Sequence, residues 1–350
     1  PHARTSSRPP AMPRFAAVEL GGTSIRVAVA EGDPANIVAR DRFPTLEPGP
    51  TLAKVRAWLE GQRFDSLAVA SFGPVELREG RPHYGYVTTT PKAHWAYADV
   101  LGGINAAGFG VPVVFDTDVN APAFAEFRRL RAAGGSPPPT SCAYMTVGTG
   151  IGVGLVVNGG TVHGLLHPEA GHCPVPRAEG DDWQPTSAHA ILNGAEALAS
   201  APALATRAGV SQADLATLPD DHPVWDHCAH YLACLCVDLT LITSVERIVL
   251  GGGVLARKSL YPRVRVHYQR LMNSYLAVDA LTGPGIDEYI VEPAHGDDAG
   301  IVGALTLAQV AYEERTLKGR LRAWLGDAAA MPVARAAAVG AVAAAALAIR

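Results

Sequence analysis

Two stretches of the chain share one pattern, in which an apolar run is followed by a glycine turn and a second apolar run. The first is RFAAVELGGTSIRVAVA (14–30), and the second is SCAYMTVGTGIGVGLVVNGGTVHG (141–164). Short apolar runs bounded by turn residues are typical of buried strands, so each stretch predicts a β-hairpin. The repetition of the pattern predicts two similar lobes that face a cleft.

Other segments combine strand patterns with helix patterns. PVVFDTDVNAPAFAEFRRLRAAGG (112–135) predicts a strand that leads into a helix beginning near Asp118, and residues 246–272 predict a strand, a triple glycine and a helix. SLAVASFGPVEL (66–77) predicts another buried strand, and residues 289–312 predict a strand, a turn and a final helix. Mixed strands and helices of this kind indicate the α/β class.

The segment VWDHCAHYLACLCVDLTLITS (224–244) carries apolar residues at a period close to 3.6, which predicts a helix facing the core. His227 and His230 lie one turn apart and could share a metal ion. Cys234 and Cys236, however, point in different directions on a helix, so we interpret this segment as part of the core.

Composition and charge narrow the class of partner. A chain of 350 residues is long enough for two domains or lobes, and its formal net charge of −4 comes without long blocks of like charge. This balance argues against nucleic acid or an anionic membrane as the partner and favours a small molecule. Five cysteines without a CxxC pair, and the lack of a secretory signal, predict a cytoplasmic protein. The apolar stretch at 336–349 is short for a membrane span and predicts an appended helix.

Three glycine turns end predicted strands: GGT at 21–23, GTG at 148–150 and GGG at 251–253. Glycine lets backbone N–H groups approach an anion closely, so together these turns favour a nucleotide cleft, although each alone could be an ordinary turn. The chain has no GxxxxGK[ST] motif, which excludes a P-loop. GTGIGVG has Val153 where a dinucleotide fingerprint needs its third glycine, which argues against a nicotinamide enzyme.

Eight motifs in order resemble those of the ROK family of sugar kinases, specifically its bacterial fructokinase branch, over about residues 15–312. They are ELGGTSIR, ASFGPV, YGYVTTTPKAHW, FDTDVNAPAFAE, MTVGTGIGVG, HPEAGH, IVLGGGV and EPAHGDDAGIVGAL. The resemblance implies the actin-like ATPase (ribonuclease H-like) fold, with two α/β lobes around a nucleotide and sugar cleft. On this basis we expect a disordered segment at 1–13, a first lobe at 14–121 completed by a helix at about 301–314, a second lobe at 122–300, and an Ala-rich helical extension at 315–350.

The resemblance also implies roles for individual residues. Asp118 matches the catalytic aspartate that takes the proton of the sugar hydroxyl; its alternative is a helix N-cap. Glu19 replaces a common aspartate and is expected to hold Mg²⁺ through water. Ser24 stands where the family often has lysine, a loss that Arg26 could partly offset. The phosphate-binding residues are expected to be Gly21, Gly22, Thr23, Gly148, Thr149 and Gly150, and the adenosine-side turn to be Gly251, Gly252 and Gly253.

The sugar is expected to contact Glu169 and His172 of HPEAGH and Glu196 further along the chain. The alternative for Glu196 is a solvated acid on a helix face. Asn120 is expected to bind a sugar hydroxyl, and Thr90 and Lys92 to form the opposite wall of the site.

The family also has a structural zinc site that includes this histidine and a cysteine-containing loop. Here the corresponding loop contains no cysteine pair, and the candidates that stay are His172, Cys173 and His189. Because zinc sites need four ligands, we predict that the zinc is lost, with a reduced site as the alternative. The loop would then be held by apolar packing of Trp183, Ile191 and Leu192.

The implied function is the ATP-dependent, Mg²⁺-assisted phosphorylation of a hexose, most often D-fructose at its 6-hydroxyl, by a cytoplasmic homodimer. Glucose, mannose or an amino sugar are alternative substrates. From other classes, we weigh a sugar-responsive transcription repressor and a catalytically weakened sugar-binding relative. The short segment before the first hairpin argues against the repressor, and Asp118 argues against the weakened relative.

Overall fold

A computed structural model describes residues 12–185 and 191–329, with side chains up to residue 318. Residues 1–11, 186–190 and 330–350 lie outside the described part of the chain. Most of the predicted N-terminal segment, the zinc candidate His189 and the Ala-rich stretch at 336–349 therefore lie outside it as well.

The first sheet contains five strands in the spatial order β3-β2-β1-β4-β5. The strands are β1 (Arg14–Leu20), β2 (Ser24–Glu31), β3 (Ile37–Pro44), β4 (Ser66–Ser71) and β5 (Val113–Thr117). β1 and β2 form the antiparallel hairpin that the sequence predicts, and β1, β4 and β5 run parallel. The carboxyl ends of β1, β4 and β5 therefore meet at one edge of the sheet.

The second sheet repeats this plan, with the strand order β10-β9-β6-β7-β8. Its strands are β6 (Cys142–Val147), β7 (Ile151–Val157), β8 (Gly160–Thr161), β9 (Ile248–Gly251) and β10 (Ile290–Val291). β6 and β7 form the second predicted hairpin, and β6, β9 and β10 run parallel. The predicted α/β class is confirmed.

Helices cover the faces of both sheets, because the central strands β1, β4, β6 and β9 are apolar on both sides. They are α1 (Pro48–Glu60), α2 (Val100–Gly103), α3 (Asn120–Ala132), α4 (Ala195–Ala199), α5 (Ala201–Ala208), α6 (Val224–Thr243), α7 (Leu260–Met272), α8 (Ile286–Tyr289) and α9 (Ala299–Ala329). α1 packs on one face of the first sheet and α9 on the other. α6 and α7 pack in the core of the second sheet, as the helical period of residues 224–244 predicts.

Two helices cross between the sheets. α3 follows β5 of the first sheet but packs against β6 and β7 of the second, and α9 follows the second sheet but packs against β1 and β4 of the first. Glycines allow the close approach. A Cβ on Gly154 of β7 would lie 2.0 Å from the carbonyl oxygen of Val119, and one on Gly303 of α9 would lie 2.4 Å from the nitrogen of Pro122. The start of α3 is thereby fixed between the two sheets.

α9 runs without interruption from Ala299 to Ala329, so the predicted final helix and the first part of the predicted extension form one element. The proposed bounds of the two lobes stay a prediction. Across the described ranges, the structure contains no helix whose length and apolar character would let it span a membrane.

Candidate active site

Acidic and glycine residues meet where the parallel strands of the first sheet end. Glu19 is the penultimate residue of β1, the turn Gly21–Thr23 follows that strand, and Asp118 follows β5. The backbone N–H of Asp118 donates to the carbonyl oxygen of Ser71 at the end of β4, at 3.0 Å. Ligands of α/β proteins commonly bind beyond the carboxyl ends of parallel strands, so this edge is the expected position of a site.

Asp118 lies between strand β5 and helix α3 and is half-buried. Burial raises the pKa of its carboxyl, and the negative charges of Glu19 and Glu169 raise it further, to about 7. A carboxylate with a pKa near neutrality suits a general base at neutral pH. The N-cap position of α3 belongs to Val119, and no side chain caps it. The alternative of Asp118 as a helix N-cap is therefore not what the structure shows.

Asp116 fixes the strand end that carries Asp118. Its buried carboxylate accepts hydrogen bonds from the Thr117 backbone at 2.7 Å and from the Asn120 amide at 2.8 Å, and it contacts Nε2 of His163 at 3.1 Å. The bond to Asp116 raises the pKa of His163. His163 lies in the segment after β8, so this pair joins the two sheets.

Asn120 does not face the cleft. Its side chain is 1% exposed, its amide nitrogen donates to Asp116, and its amide oxygen accepts from the Leu155 backbone at 3.1 Å. Both polar ends are thus used inside the protein. We therefore leave Asn120 out of the proposed sugar ligands and assign it to the support of Asp118.

Glu19 has a buried carboxylate with one bonded and one unbonded oxygen. Oε1 accepts from Arg26 at 2.6 Å, whereas Oε2 has no hydrogen-bond partner among the described residues. Burial raises the pKa of Glu19, although the charge of Arg26 opposes the rise. A buried carboxylate oxygen without a partner is costly unless a cation or water satisfies it. Glu19 therefore fits the predicted Mg²⁺ role, since Mg²⁺ takes oxygen ligands and usually keeps several of its waters.

The glycine turns of the second sheet line one cavity of about 520 Å³. Gly148 and Thr149, which follow β6, face Gly253, which follows β9, across it. Parallel β6 and β9 end at the same edge, which explains why turns about 100 residues apart meet. The remaining lining residues are Ala201, Gln212, Leu215, Ala216, Asp220, Trp225, Val254, Ala256, Arg257, Lys258 and Ser259. A cavity with both apolar and polar lining that opens beside two glycine turns suits an adenosine with its phosphates on the turns.

Arg257 and Trp225 are the residues of this cavity that the sequence did not single out. The Arg257 guanidinium lies 4.2 Å from the centre of the Trp225 ring and donates to the carbonyl oxygen of Leu218 at 2.6 Å. Arg257 follows the GGGV motif by three residues, and this proximity to a predicted nucleotide turn could have indicated it from the sequence.

Glu169 lies beside the loop that follows β4. A Cβ on Gly73 would lie 3.4 Å from Oε1 of Glu169 and 2.9 Å from Nε2 of His167. Nε2 of His167 accepts from the Val75 backbone at 3.0 Å, and Nδ1 lies 3.7 Å from Oε1 of Glu169. His167 thus holds HPEAGH against the SFGPV loop, and Gly73 leaves the space for it.

Glu196 is bound to the second glycine turn. Its Oε2 accepts from the Ile151 backbone at 2.8 Å, and a Cβ on Gly150 would lie 2.5 Å from that oxygen. Glu169 is within electrostatic reach of both Glu196 and His172. Glu196 is therefore not the solvated helix-face acid of the alternative interpretation. Thr90 accepts from the backbone N–H of Lys92 at 3.3 Å, and no described contact joins either residue to Asp118 or Glu169.

The rebuilt zinc loop is held by charge. Asp181, 3% exposed, pairs with Arg207 at 2.6 Å and accepts from Tyr231, and the Arg207 guanidinium lies 4.5 Å from the Trp183 ring. Burial alone would raise the pKa of Asp181, but the bonds from Arg207 and Tyr231 outweigh it and hold that pKa below its usual range. Trp183 packs on the core as predicted.

The prediction of apolar packing is wrong for Ile191 and Leu192, which are 50% and 77% exposed. The two ends of the loop are instead joined by backbone bonds between Cys173 and Ala195 and between Val175 and Asn193. In the described ranges, no three His, Cys, Asp or Glu side chains form a metal cluster. Because His189 lies outside those ranges, the loss of zinc stays a prediction.

The family model named "ROK family" matches residues 15–311. The chain belongs to the ROK family. A protein from Pediococcus pentosaceus named fructokinase is 34% identical over 297 residues, which are 85% of this chain and 98% of that protein. A fructokinase from Zymomonas mobilis is 36% identical over 304 residues, covering 85% of this chain and 97% of the relative. The predicted family is confirmed.

Solved structures of ROK proteins share the fold. The glucokinase from Streptomyces griseus, solved in complex with glucose and AMPPNP, superposes with a TM-score of 0.62 at 21% identity and covers 85% of this chain and 99% of its own. The predicted actin-like ATPase fold is thus confirmed, with its two sheets and crossing helices.

Proposed function

We propose that this ROK protein transfers the γ-phosphate of ATP to the 6-hydroxyl of D-fructose, giving ADP and fructose 6-phosphate. The observation that carries the proposal is Asp118. It is a half-buried carboxylate at the strand edge, the charges of Glu19 and Glu169 both act on it, and its pKa is raised to about 7. The named fructokinases that this chain resembles over most of its length support fructose as the hexose.

Each part of the site has a task in this reaction. Asp118 accepts the proton of the attacking hydroxyl, which is a poor nucleophile at neutral pH. The proposed donors to the phosphate oxygens are the backbone N–H groups of residues 22, 23, 149 and 150, because those of Gly21 and Gly148 already donate to the carbonyl oxygens of Ser24 and Gly150. Glu19 would hold Mg²⁺ through water, and the bound ion would offset charge on the phosphates. The protein itself takes little part in making or breaking bonds. Positioning of the reactants and electrostatic stabilisation of the transition state therefore dominate the rate enhancement.

On the sugar side, Glu169, His172 and Glu196 are the proposed ligands of the hydroxyl groups. Carboxylate and imidazole groups form charge-assisted hydrogen bonds to hydroxyls, which are stronger than neutral ones. Glu196 also bonds to Ile151 and so couples the sugar side to the second glycine turn. Thr90 and Lys92 remain proposed for the opposite wall.

A coupled assay of ADP release tests the proposal. Purified protein with Mg²⁺ and ATP should release ADP with D-fructose at a kcat/KM at least about tenfold above that with glucose, mannose or N-acetylmannosamine, the discrimination that one or two well-placed hydroxyl contacts supply. Omission of the sugar gives the background. If turnover is highest with another hexose, that sugar replaces D-fructose as the proposed substrate. ADP release that does not depend on a sugar would contradict a sugar kinase.

From the resemblance alone we propose a homodimer, and from the cysteine content a cytoplasmic location. Within the described residues the five cysteines form no disulfide. Sedimentation of the purified protein at micromolar concentration should give about twice the mass of the chain.

A further inference from the structure

The phosphate hairpin has lost a positive charge at its own position 24, and Arg26 does not replace it. Nη2 of Arg26 donates to Glu19 and Nη1 to the carbonyl oxygen of Asp297, so the guanidinium is committed to the start of α9. Both terminal nitrogens are thus engaged and their orientation is set by Glu19 and Asp297, although only two of the five guanidinium N–H groups are used. The expectation that Arg26 offsets the missing lysine therefore does not fit its contacts.

Arg42 on the neighbouring strand lies next to position 24. The register of β2 and β3 pairs Arg26 with Arg42, and Nε of Arg42 donates to Oγ of Ser24 at 3.0 Å. The serine that stands in the lysine position thus anchors the arginine. The guanidinium is also close enough to Glu19 for its charge to act on that carboxylate.

The terminal nitrogens of Arg42 are available. Its described side-chain hydrogen bond uses Nε, and the described residues offer no partner to Nη1 or Nη2. Arg40, two residues earlier on the same face, is instead paired with Asp298 at 3.1 Å. A guanidinium presents a planar pair of N–H donors that matches phosphate oxygens. Among these three arginines, Arg42 alone combines exposure, a fixed Nε and available Nη groups beside the glycine turn.

We propose that Arg42, held by Ser24, binds the terminal phosphates of ATP and supplies from strand β3 the cation that position 24 no longer carries. The inference rests on the proposed function, because it assumes that the turn Gly21–Thr23 receives a nucleoside triphosphate. It adds a phosphate-binding residue that lies 18 positions away from the motif it serves.

Equilibrium binding tests the proposal by comparing MgAMPPNP with AMP, which lacks the terminal phosphates. Arg42→Ala should weaken MgAMPPNP binding about tenfold, the usual effect of losing one charge-assisted bond at a partly exposed site, and change AMP binding less than about twofold. The loss should shrink as salt rises from low to high concentration. Arg40→Ala, which removes the same charge from the same strand face, is the matched control and should bind MgAMPPNP like the wild type.

A rescue variant separates a phosphate contact from a structural one. Ser24→Lys combined with Arg42→Ala should recover most of the lost MgAMPPNP affinity, because the charge returns to position 24. Equal weakening for AMP and MgAMPPNP, or unchanged MgAMPPNP binding in a folded Arg42→Ala protein, would overturn the proposal. Since the readout is nucleotide binding, wild-type protein that binds MgAMPPNP but phosphorylates no hexose would refute the proposed function and leave Arg42 testable by the same variants.

Discussion

Replacing the Asp118 carboxylate with an amide should lower turnover and raise stability at the same time. Asp118→Asn keeps the shape of the side chain but cannot accept a proton, so kcat with fructose should fall by roughly 10² to 10⁴, the usual contribution of a general base. Binding of ATP should stay near the wild-type value, because the backbone groups of the glycine turns donate to the phosphates.

The gain in stability follows from the pKa. Burial and the charges of Glu19 and Glu169 move the Asp118 pKa from 3.8 to about 7, a rise of about three units. Each unit is about 1.36 kcal/mol, so the buried charge costs the folded protein at most about 4 kcal/mol above pH 7. Because Asp118 keeps some contact with water, which screens the charge, we expect about 1 to 2 kcal/mol.

The sign of the pH dependence distinguishes this cost from a packing effect. The folded protein holds the proton of Asp118 more tightly than the unfolded chain, so this group stabilises the fold below about pH 4, and that contribution disappears as the pH rises to about 7. At pH 8 the melting temperature of the variant should therefore be about 2 °C or more above that of the wild type, from the usual relation between unfolding free energy and melting temperature in large domains. At pH 4 the two melting temperatures should be nearly equal. For the same reason, wild-type kcat/KM should rise with pH through about 7 and then level off.

Thermal melts of the ligand-free proteins at the two pH values, together with the coupled assay, make the test. Asp279→Asn, the same chemical change at an exposed carboxylate, is the matched control and should alter neither quantity. An Asp118→Asn protein that keeps more than half of the activity would rule out Asp118 as the general base, and one that is less stable than the wild type at pH 8 would rule out a cost of its buried charge.

Three further changes probe other parts of the site. Gly22→Val should fold, because a Cβ there meets nothing within 4 Å, but should weaken ATP binding about tenfold by crowding the phosphates; unchanged affinity would remove this hairpin from the phosphate site. Asp181→Asn should cost about 3 kcal/mol of unfolding free energy in denaturant titrations, because it leaves the buried Arg207 charge unbalanced, and a loss under about 0.5 kcal/mol would show that the pair does not hold the loop. Metal analysis should find much less than one equivalent of zinc, and chelation in excess Mg²⁺ should leave melting temperature and activity unchanged; stoichiometric zinc whose removal abolishes activity would show that the loop has kept its metal site.

Local patterns in the sequence predicted the elements that carry the site. The two hairpins and the strand-to-helix junction at Asp118 follow from short apolar runs and glycine positions, and these signals survive folding because neighbouring residues decide them. Parallel strands then bring the ends of β1, β4 and β5 together. That Asp118 and Glu19 lie at the same edge of the first sheet could thus be predicted from the sequence and the expected fold.

Contacts between segments that are far apart in the sequence could not be predicted from the sequence. Asn120 and Asp118 are two residues apart, yet the first turn of α3 points Asn120 inward to Asp116 and Leu155, and only the packing of β7 against that turn decides it. The bond between Arg42 and Ser24 depends on the register of β2 and β3, which the sequence leaves open. Exposed Ile191 and Leu192 show that apolar side chains in a loop need not be buried.

Phosphorus NMR of the products formed from D-fructose, Mg²⁺ and ATP would show both the transfer of the phosphate and the hydroxyl that receives it. We predict that ADP and fructose 6-phosphate appear in equal amounts at the same rate, and that both are nearly absent with Asp118→Asn. Inorganic phosphate without a sugar ester, or an ester at another hydroxyl of fructose, would contradict the proposed reaction.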